Sequence, residues 1–578
     1  MELEVLPGQG INQSDVIMVS TAIHFPKIAK IFVSTNGGQS WANRTPAGYN
    51  SDLYLLAKTA ADPGAVYAAF LHVPGNSLAT HPLLKTTDFG QSWQVVRADI
   101  PNSLLSRIRP VFEINQQNAQ VMYFGGNTLL RSTNAGATAS SVTAYSPPPG
   151  PNSTHADIRA MHYYSSSSNG GSDVILIGTD GGINMTTQGG LINTWKNLNG
   201  TELLVTQVFD IGMSSQYPDF IAAGTQDNGV FSRFPGATNW VSSIWGDGGQ
   251  VVVDWQDPTV VYARSNEQIY RSSNGGTSYT PHALIPPAGQ YEPYSFRQDP
   301  ADASSLVVGR KKWVYRLGAG GSLLSSVQVA QFAPNASDFK SISTLEISES
   351  NPNVMYVASD FPATNGFILK STDGGQAWQP SADTSLWDDR RANCIAIDPQ
   401  NSERIWVGLG GFEGRRLLRS ENGGLTWEDK TNNLPGIPVN DLIYQKGSQD
   451  VLYAATDIGV YRYDPVSDQW TCFSRGLPAC LVSDLEIDYC QGLIRAGVYG
   501  RGVWESPLPA GPTWVIAADT TWEAETVTHV YGTLAVAAGA NLTIRGLVNM
   551  GLDTRIIVEP HARLVVDGGT LTNACGGF

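Results

Sequence analysis

Three short stretches place an aspartate among glycines: GTDGGI around Asp180, GTQDNG around Asp227 and WGDGGQ around Asp247. A carboxylate in such a setting can do one of two things. It can accept backbone N–H groups and close a tight turn, or, paired with a second carboxylate across a cleft, it can exchange protons with a substrate and a water molecule. Thr456 to Asp464 (TDIGVYRYD) is a similar turn with no chemistry attached, so the turn reading is available to all three. Metal-ligand types cluster once, as His155, Asp157 and His162 in HADIRAMHYY, but strand alternation splits residues of opposite parity between two faces. There is no HExxH, no DxDxDG loop and no CxxC pair. No cofactor is implied; a structural calcium ion held by loop carbonyls would leave little trace in a sequence.

The elements that must position these residues are short and numerous. Of 578 residues only 15% are charged, while glycine (60), tyrosine (22) and tryptophan (15) abound, a composition of brief strands joined by tight turns. The fold class expected is all-β. The net charge of −15 repels phosphate backbones and excludes nucleic acid as a natural partner. No apolar run is long enough to span a membrane as a helix, and the opening MELEVLPGQG lacks the basic start and apolar middle of a secretory signal. Five cysteines are too few for a disulfide scaffold. Cys472 and Cys480 flank a turn-rich loop and are either a pair or two free thiols, while Cys394, in the apolar run ANCIAID, reads as core.

One phrase repeats: STNGGQSW (34–41), TTDFGQSW (86–93), STDGGQAW (371–378) and SENGGLTW (420–427). Asn36, Asp88, Asp373 and Asn422 are placed to accept N–H groups of their own turns, glycines supply positive φ, and Trp41, Trp93, Trp378 and Trp427 fold back as apolar plugs. A residue type repeated in every unit serves what every unit shares, so the phrase is a structural staple. It resembles the Asp-box, or bacterial neuraminidase repeat, of sialidases, sortilin-like receptors and two-propeller xyloglucanases. Degenerate copies begin at Ser132, Thr186, Ser232, Ser272 and Tyr461, giving about ten blade-like units between residues 14 and 506.

The resemblance implies a multi-bladed β-propeller region over residues 1–507, as one large ring or as two propellers with a boundary near 200–250, the latter slightly favoured. VYGRGVWESP (498–507) looks like inner strands without an outer one, and LEVLP near the N-terminus is expected to supply it as a clasp. From 508 to 578 the pattern changes to alternating segments, GTLAVAAGANLTIRG and RIIVEPHARLVVDGGTLTN, which read as the start of a β-solenoid with an uncovered last rung. This is similar to the parallel repeats of surface proteins exported by the type IX system of Bacteroidota. The chain is accordingly expected to be an excerpt of a longer polypeptide, or to have a neighbouring chain on that end.

For function, the resemblance offers enzymes and binders. Sialidases carry an F/Y-R-I-P motif, for which RIRP (107–110) is a poor match lacking the aromatic residue. The catalytic aspartates of two-propeller xyloglucanases lie in TD-x-GG-like and GD-like stretches, which correspond here to Asp180 and Asp247, with Asp227 as a third carboxylate; the Tyr-Arg expected after TD-x-GG is replaced by Ile183-Asn184. The leading expectation is a secreted or cell-surface binding or assembly scaffold whose ligand is an extracellular glycan or protein. Trp245, Trp313, Trp387 and Asp227 are its candidate contacts, the tryptophans having blade packing as their alternative role. An inverting endo-β-glucanase is the alternative, and a subunit of an extracellular sheath or filament the third.

Overall fold

The computed structural model describes residues 2–6, 14–21, 29–49, 53–71, 82–98, 111–144, 154–164, 174–200, 203–214, 217, 219–285, 295–332, 341–359, 368–380, 385–388, 390–448, 450–509, 511, 513–524, 526–551 and 554–573. The RIRP stretch, the polar segment 165–173 and Cys575 lie outside them. The chain is all-β, with ten four-stranded and one three-stranded antiparallel sheets followed by three parallel ones among the described residues. It divides into two compact units, Met1–Leu204 and Val205–Phe578.

The first unit holds four sheets, each a meander of consecutive strands. The second holds seven antiparallel sheets, whose innermost strands are Val208–Met213, Gly248–Val253, Ser295–Asp299, Ile342–Ile347, Ala392–Asp398, Val439–Tyr444 and Val482–Asp488. Each innermost strand packs on the next, and the seventh packs back on the first, so these sheets form a ring. Second strands read as unbroken apolar runs, as in IAAGT (221–225) and LYAAT (452–456), and are buried at every position. That pattern follows from their place between two neighbouring sheets, where neither face meets water. Small residues in these runs permit close stacking: a Cβ at Gly224 would lie 1.7 Å from the Gly249 carbonyl oxygen of the next sheet.

The repeated phrase forms one hydrogen-bonded turn wherever it occurs. Ser371 Oγ donates to Asp373 Oδ1 (2.8 Å) and accepts the Gly375 N–H (2.9 Å), while Asp373 Oδ1 accepts the Ala377 N–H (3.0 Å). Thr86, Asp88, Gly90 and Ser92 repeat the arrangement, as do the degenerate copies at Ser132 and Ser272. The closing tryptophans reach the preceding sheet, as Trp93 Nε1 does when it donates to the Arg44 carbonyl (2.9 Å). Trp378 and Trp427 are buried, but Trp41 is 45% exposed. Its indole N–H donates to the Gly38 carbonyl of its own turn (3.1 Å).

One sequence expectation needs correction. Glu2–Leu6 pairs antiparallel with Val16–Ser20 in the first sheet, so it is not the clasp of the last one, and the seventh sheet of the ring stays three-stranded. The seam between first and seventh sheets is closed instead by Ile211 N–H donating to Asp484 Oδ2 (2.8 Å), by Ser483 Oγ donating to the Val208 carbonyl (2.7 Å), and by a bridge between Gln207 and Tyr499. Cys472 and Cys480 are free thiols, which resolves the two readings of that pair; Cys394 is a buried free thiol.

Beyond Pro507 the strands run parallel, pairing Trp514 with Leu534 and Leu534 with Ile556 in one sheet, and Leu542 with Leu564 in another. Leu534, Leu542 and Val548 are buried between the three sheets, while Ile556, Leu564 and Leu571 of the last turn are only partly covered. No helix of the described residues is long and apolar enough to cross a membrane.

Candidate functional site

In a four-stranded meander the turn between second and third strands, and the connection to the next sheet, lie at one end, while the repeated boxes lie at the other. All three candidate aspartates occupy the end opposite the boxes. Asp180, in the first unit, sits between Val174–Thr179 and Gly182–Thr186. Its Oδ1 accepts Arg159 Nε (2.7 Å) and its Oδ2 accepts Arg159 Nη2 (2.5 Å), a bidentate pairing that fixes the ionised carboxylate and its direction. The turn behind it is tied by Asn199, which donates to the Gly181 carbonyl (2.5 Å) and accepts the Ile183 N–H (3.0 Å).

Asp227 and Asp247 belong to the second unit and meet each other. Asp227 is the tip of the turn joining Ile221–Thr225 to Gly229–Arg233 and has φ +58°. Its backbone N–H donates to Asp247 Oδ1 (3.2 Å), and the Asp247 carbonyl accepts the Asn266 N–H (2.8 Å). The approach requires glycine: at Gly229 (φ +77°) a Cβ would stand 1.8 Å from the Ile244 carbonyl oxygen. Beside this knot Tyr499 donates its hydroxyl to Gln226 Oε1 and lies against Phe209, a residue 38% exposed. Carboxylate, amide and exposed aromatic surface thus come together at one end of the ring.

Trp245 is part-exposed next to Asp247, with its carbonyl held by Ser265 Oγ (2.8 Å). Trp313 follows a second-to-third-strand turn and stacks on Tyr315. Trp387 is fully buried, edge-on to Trp427 at 5.6 Å, and presents no face to a ligand. His162 packs on Tyr164, and no group of three or more His, Cys, Asp or Glu among the described residues can hold a metal ion.

Sequence reasoning missed a second constellation, on the axis of the ring. Asp210, Asp441 and Asp484 sit at equivalent points of three innermost strands, and each accepts an N–H from the following sheet: Val251 to Asp210 (2.7 Å), Leu485 to Asp441 (3.0 Å) and Ile211 to Asp484 (2.8 Å). Gln250 does the same for Phe296 (2.8 Å). These side chains stitch sheet to sheet. Burial pushes Asp210 up to about 7, Asp441 up to about 6 and Glu486 up to about 8, and carries Asp484 well above the carboxylate range. Arg297 is paired with Glu346 in the same channel, and burial is again offset by that partner. The signal was present as QVFDIGM, VNDLIY and VSDLEID, an aspartate recurring before an apolar residue at the start of a blade.

No known family profile matches the chain. A xyloglucanase of Paenibacillus sp is 23% identical over 195 residues, which is 28% of this chain and 19% of that protein, so the match spans about a fifth of the relative. Among solved structures, the GH74 xyloglucanase from Xanthomonas campestris has a TM-score of 0.55 at 18% identity, over 87% of this chain and 74% of that one. An ancestral GH74 enzyme gives 0.54 at 12% identity over 88% and 86%, and the GH74 enzyme of Niastella koreensis 0.52 at 15% over 87% and 74%. At such identities the likeness is one of fold: all-β and β-propeller-like.

Proposed function

We propose that the chain is an extracellular protein that cleaves a β-glucan polysaccharide as an inverting endo-glucanase of the xyloglucanase kind. The observation that carries this reading is the fold likeness to GH74 enzymes across 87% of the chain at a TM-score of 0.55. It displaces the binding scaffold as the leading reading. Inversion needs one protonated carboxyl to release the leaving sugar and one ionised carboxylate to activate water. Asp180, whose two oxygens accept from Arg159, is the corresponding carboxylate of the first unit. Asp247, which accepts the Asp227 N–H on one oxygen beside exposed aromatic surface, is the candidate carboxyl group of the second unit. The parallel strands after residue 507, read as a β-solenoid, act as a connector to further domains or to a neighbouring chain.

The test is release of reducing ends from xyloglucan and from mixed-linkage β-glucan. Asp247→Asn should lower kcat by about 10²- to 10⁴-fold while leaving the fold intact. If the unaltered protein releases no reducing ends, the hydrolase reading is wrong. One observation favours a second reading, non-catalytic glycan binding: both oxygens of Asp180 are already engaged by Arg159. Retardation on a xyloglucan-containing gel without hydrolysis would establish it.

A further inference from the structure

The box end of the second unit holds a cavity of about 1090 Å³, walled by the innermost strands of the ring and by the first turn of parallel strands. That is at the upper limit for small-ligand sites. Its rim carries Trp255, from the turn after Gly248–Val253, and Trp514 and Trp522, from the first parallel strands. Trp255 is 45% exposed, whereas the box tryptophans Trp378 and Trp427 are at 1% and 8%. It is nonetheless held rigidly: its backbone N–H donates to Gln298 Oε1 (3.1 Å) and its indole N–H to the Asp299 carbonyl (3.4 Å). Trp514 and Trp522 brace each other at 5.5 Å between ring centroids.

The charged groups of the walls are already answered within the protein. Lys446 pairs with Glu349 at 2.7 Å, Arg297 pairs with Glu346, and the three axial aspartates accept backbone N–H groups. Glu486, raised by burial to about 8, carries its proton at neutral pH. What remains for an occupant is fixed aromatic surface plus neutral hydrogen-bonding groups, including Gln400 and Thr521. A pyranose has the complementary character, an apolar face with a rim of hydroxyls.

We infer that this cavity is a saccharide-binding site, in which a neutral sugar chain stacks on Trp255 and Trp522. It lies at the opposite end of the sheets from Asp227 and Asp247 and does not rest on the hydrolase reading. The test is titration of the full chain with cellohexaose and with maltohexaose, followed by tryptophan emission and calorimetry. One of the two should bind, with Trp255→Ala and Trp522→Ala each weakening it about tenfold. Trp255→Phe should bind within about threefold of the unaltered protein, because it retains a stacking face. Thermal unfolding of each variant identifies any that fails to fold, and Trp255→Phe then decides. The inference is overturned if neither saccharide binds, or if folded Trp255→Ala and Trp522→Ala bind as the unaltered protein does.

Discussion

Replacing Asp210 by asparagine should stabilise the second unit at alkaline pH and leave it nearly unchanged in acid. Asparagine keeps an oxygen for the Val251 N–H and removes the charge. Burial raises the folded-state value of Asp210 from 3.8 to about 7, with Arg297 and Arg264 opposing and Asp441 adding to the effect. The unfolded chain ionises near pH 4 while the folded one holds its proton until about 7, so between these values the folded state binds more protons and stability falls as pH rises. Above pH 7 the loss is complete. At 1.36 kcal/mol per pH unit, the gap corresponds to about 4 kcal/mol at most, since the side chain retains contact with the cavity. For a unit of this size that is a rise of about 8 °C in Tm at pH 8. Calorimetry of the full chain at pH 4, 6 and 8 reads it directly, with the Asp210→Asn advantage growing across the series. If the variant loses as much stability at pH 8 as at pH 4, or if both proteins show the same slope, the account of the axial acids is refuted.

Other perturbations have equally definite outcomes. Asp88 behaves oppositely to Asp210: its hydrogen bonds, led by that from the Ser92 hydroxyl, hold it down to about 2, so its contribution is present above pH 4 and lost as pH falls through 2. Asp88→Asn should therefore flatten the acid limb of the stability profile of the first unit. Arg495, 1% exposed, bonds Asp488 at 3.0 Å, and Asp488→Asn should cost about 3 kcal/mol by urea unfolding, the low end for a broken buried pair because Gln491 also holds the guanidinium. Gly229→Ala, which meets the Ile244 carbonyl, should destabilise the second unit by more than about 2 kcal/mol and displace Asp247; an unchanged Tm would contradict the packing described.

The boxes were legible because their chemistry is local: serine, aspartate and glycine complete their hydrogen bonds within five residues, so spacing alone specifies the turn. The buried second strands were legible for the same reason, through composition. The axial acids were not, since Asp210 and Asp484 become neighbours only when the ring closes over more than 270 residues. The N-terminal clasp failed because Glu2–Leu6 has an unpaired partner strand nearby, and the shorter loop to Val16–Ser20 costs less entropy to close than one to the far end of the chain. Trp387 and Trp255 illustrate the limit for the site. Both stand in loop-like sequence, yet one is plugged between sheets and the other lies open. Only the arrangement of sheets around them decides which.

The unclasped seam has a mechanical consequence. In a ring closed by a shared outer strand, tension on the chain ends must shear a whole ladder of backbone bonds at once. Here the first and seventh sheets are joined by one bridge, two backbone donors to Thr206 and a few side-chain bonds, chief among them Asp484 to Ile211. Load entering at residue 205 and leaving at 508 would part the ring there first, like a bracelet opening at its catch, with every individual sheet still intact. The second unit is therefore a closed ring with one designated point of give, at the sheet that lacks its outer strand.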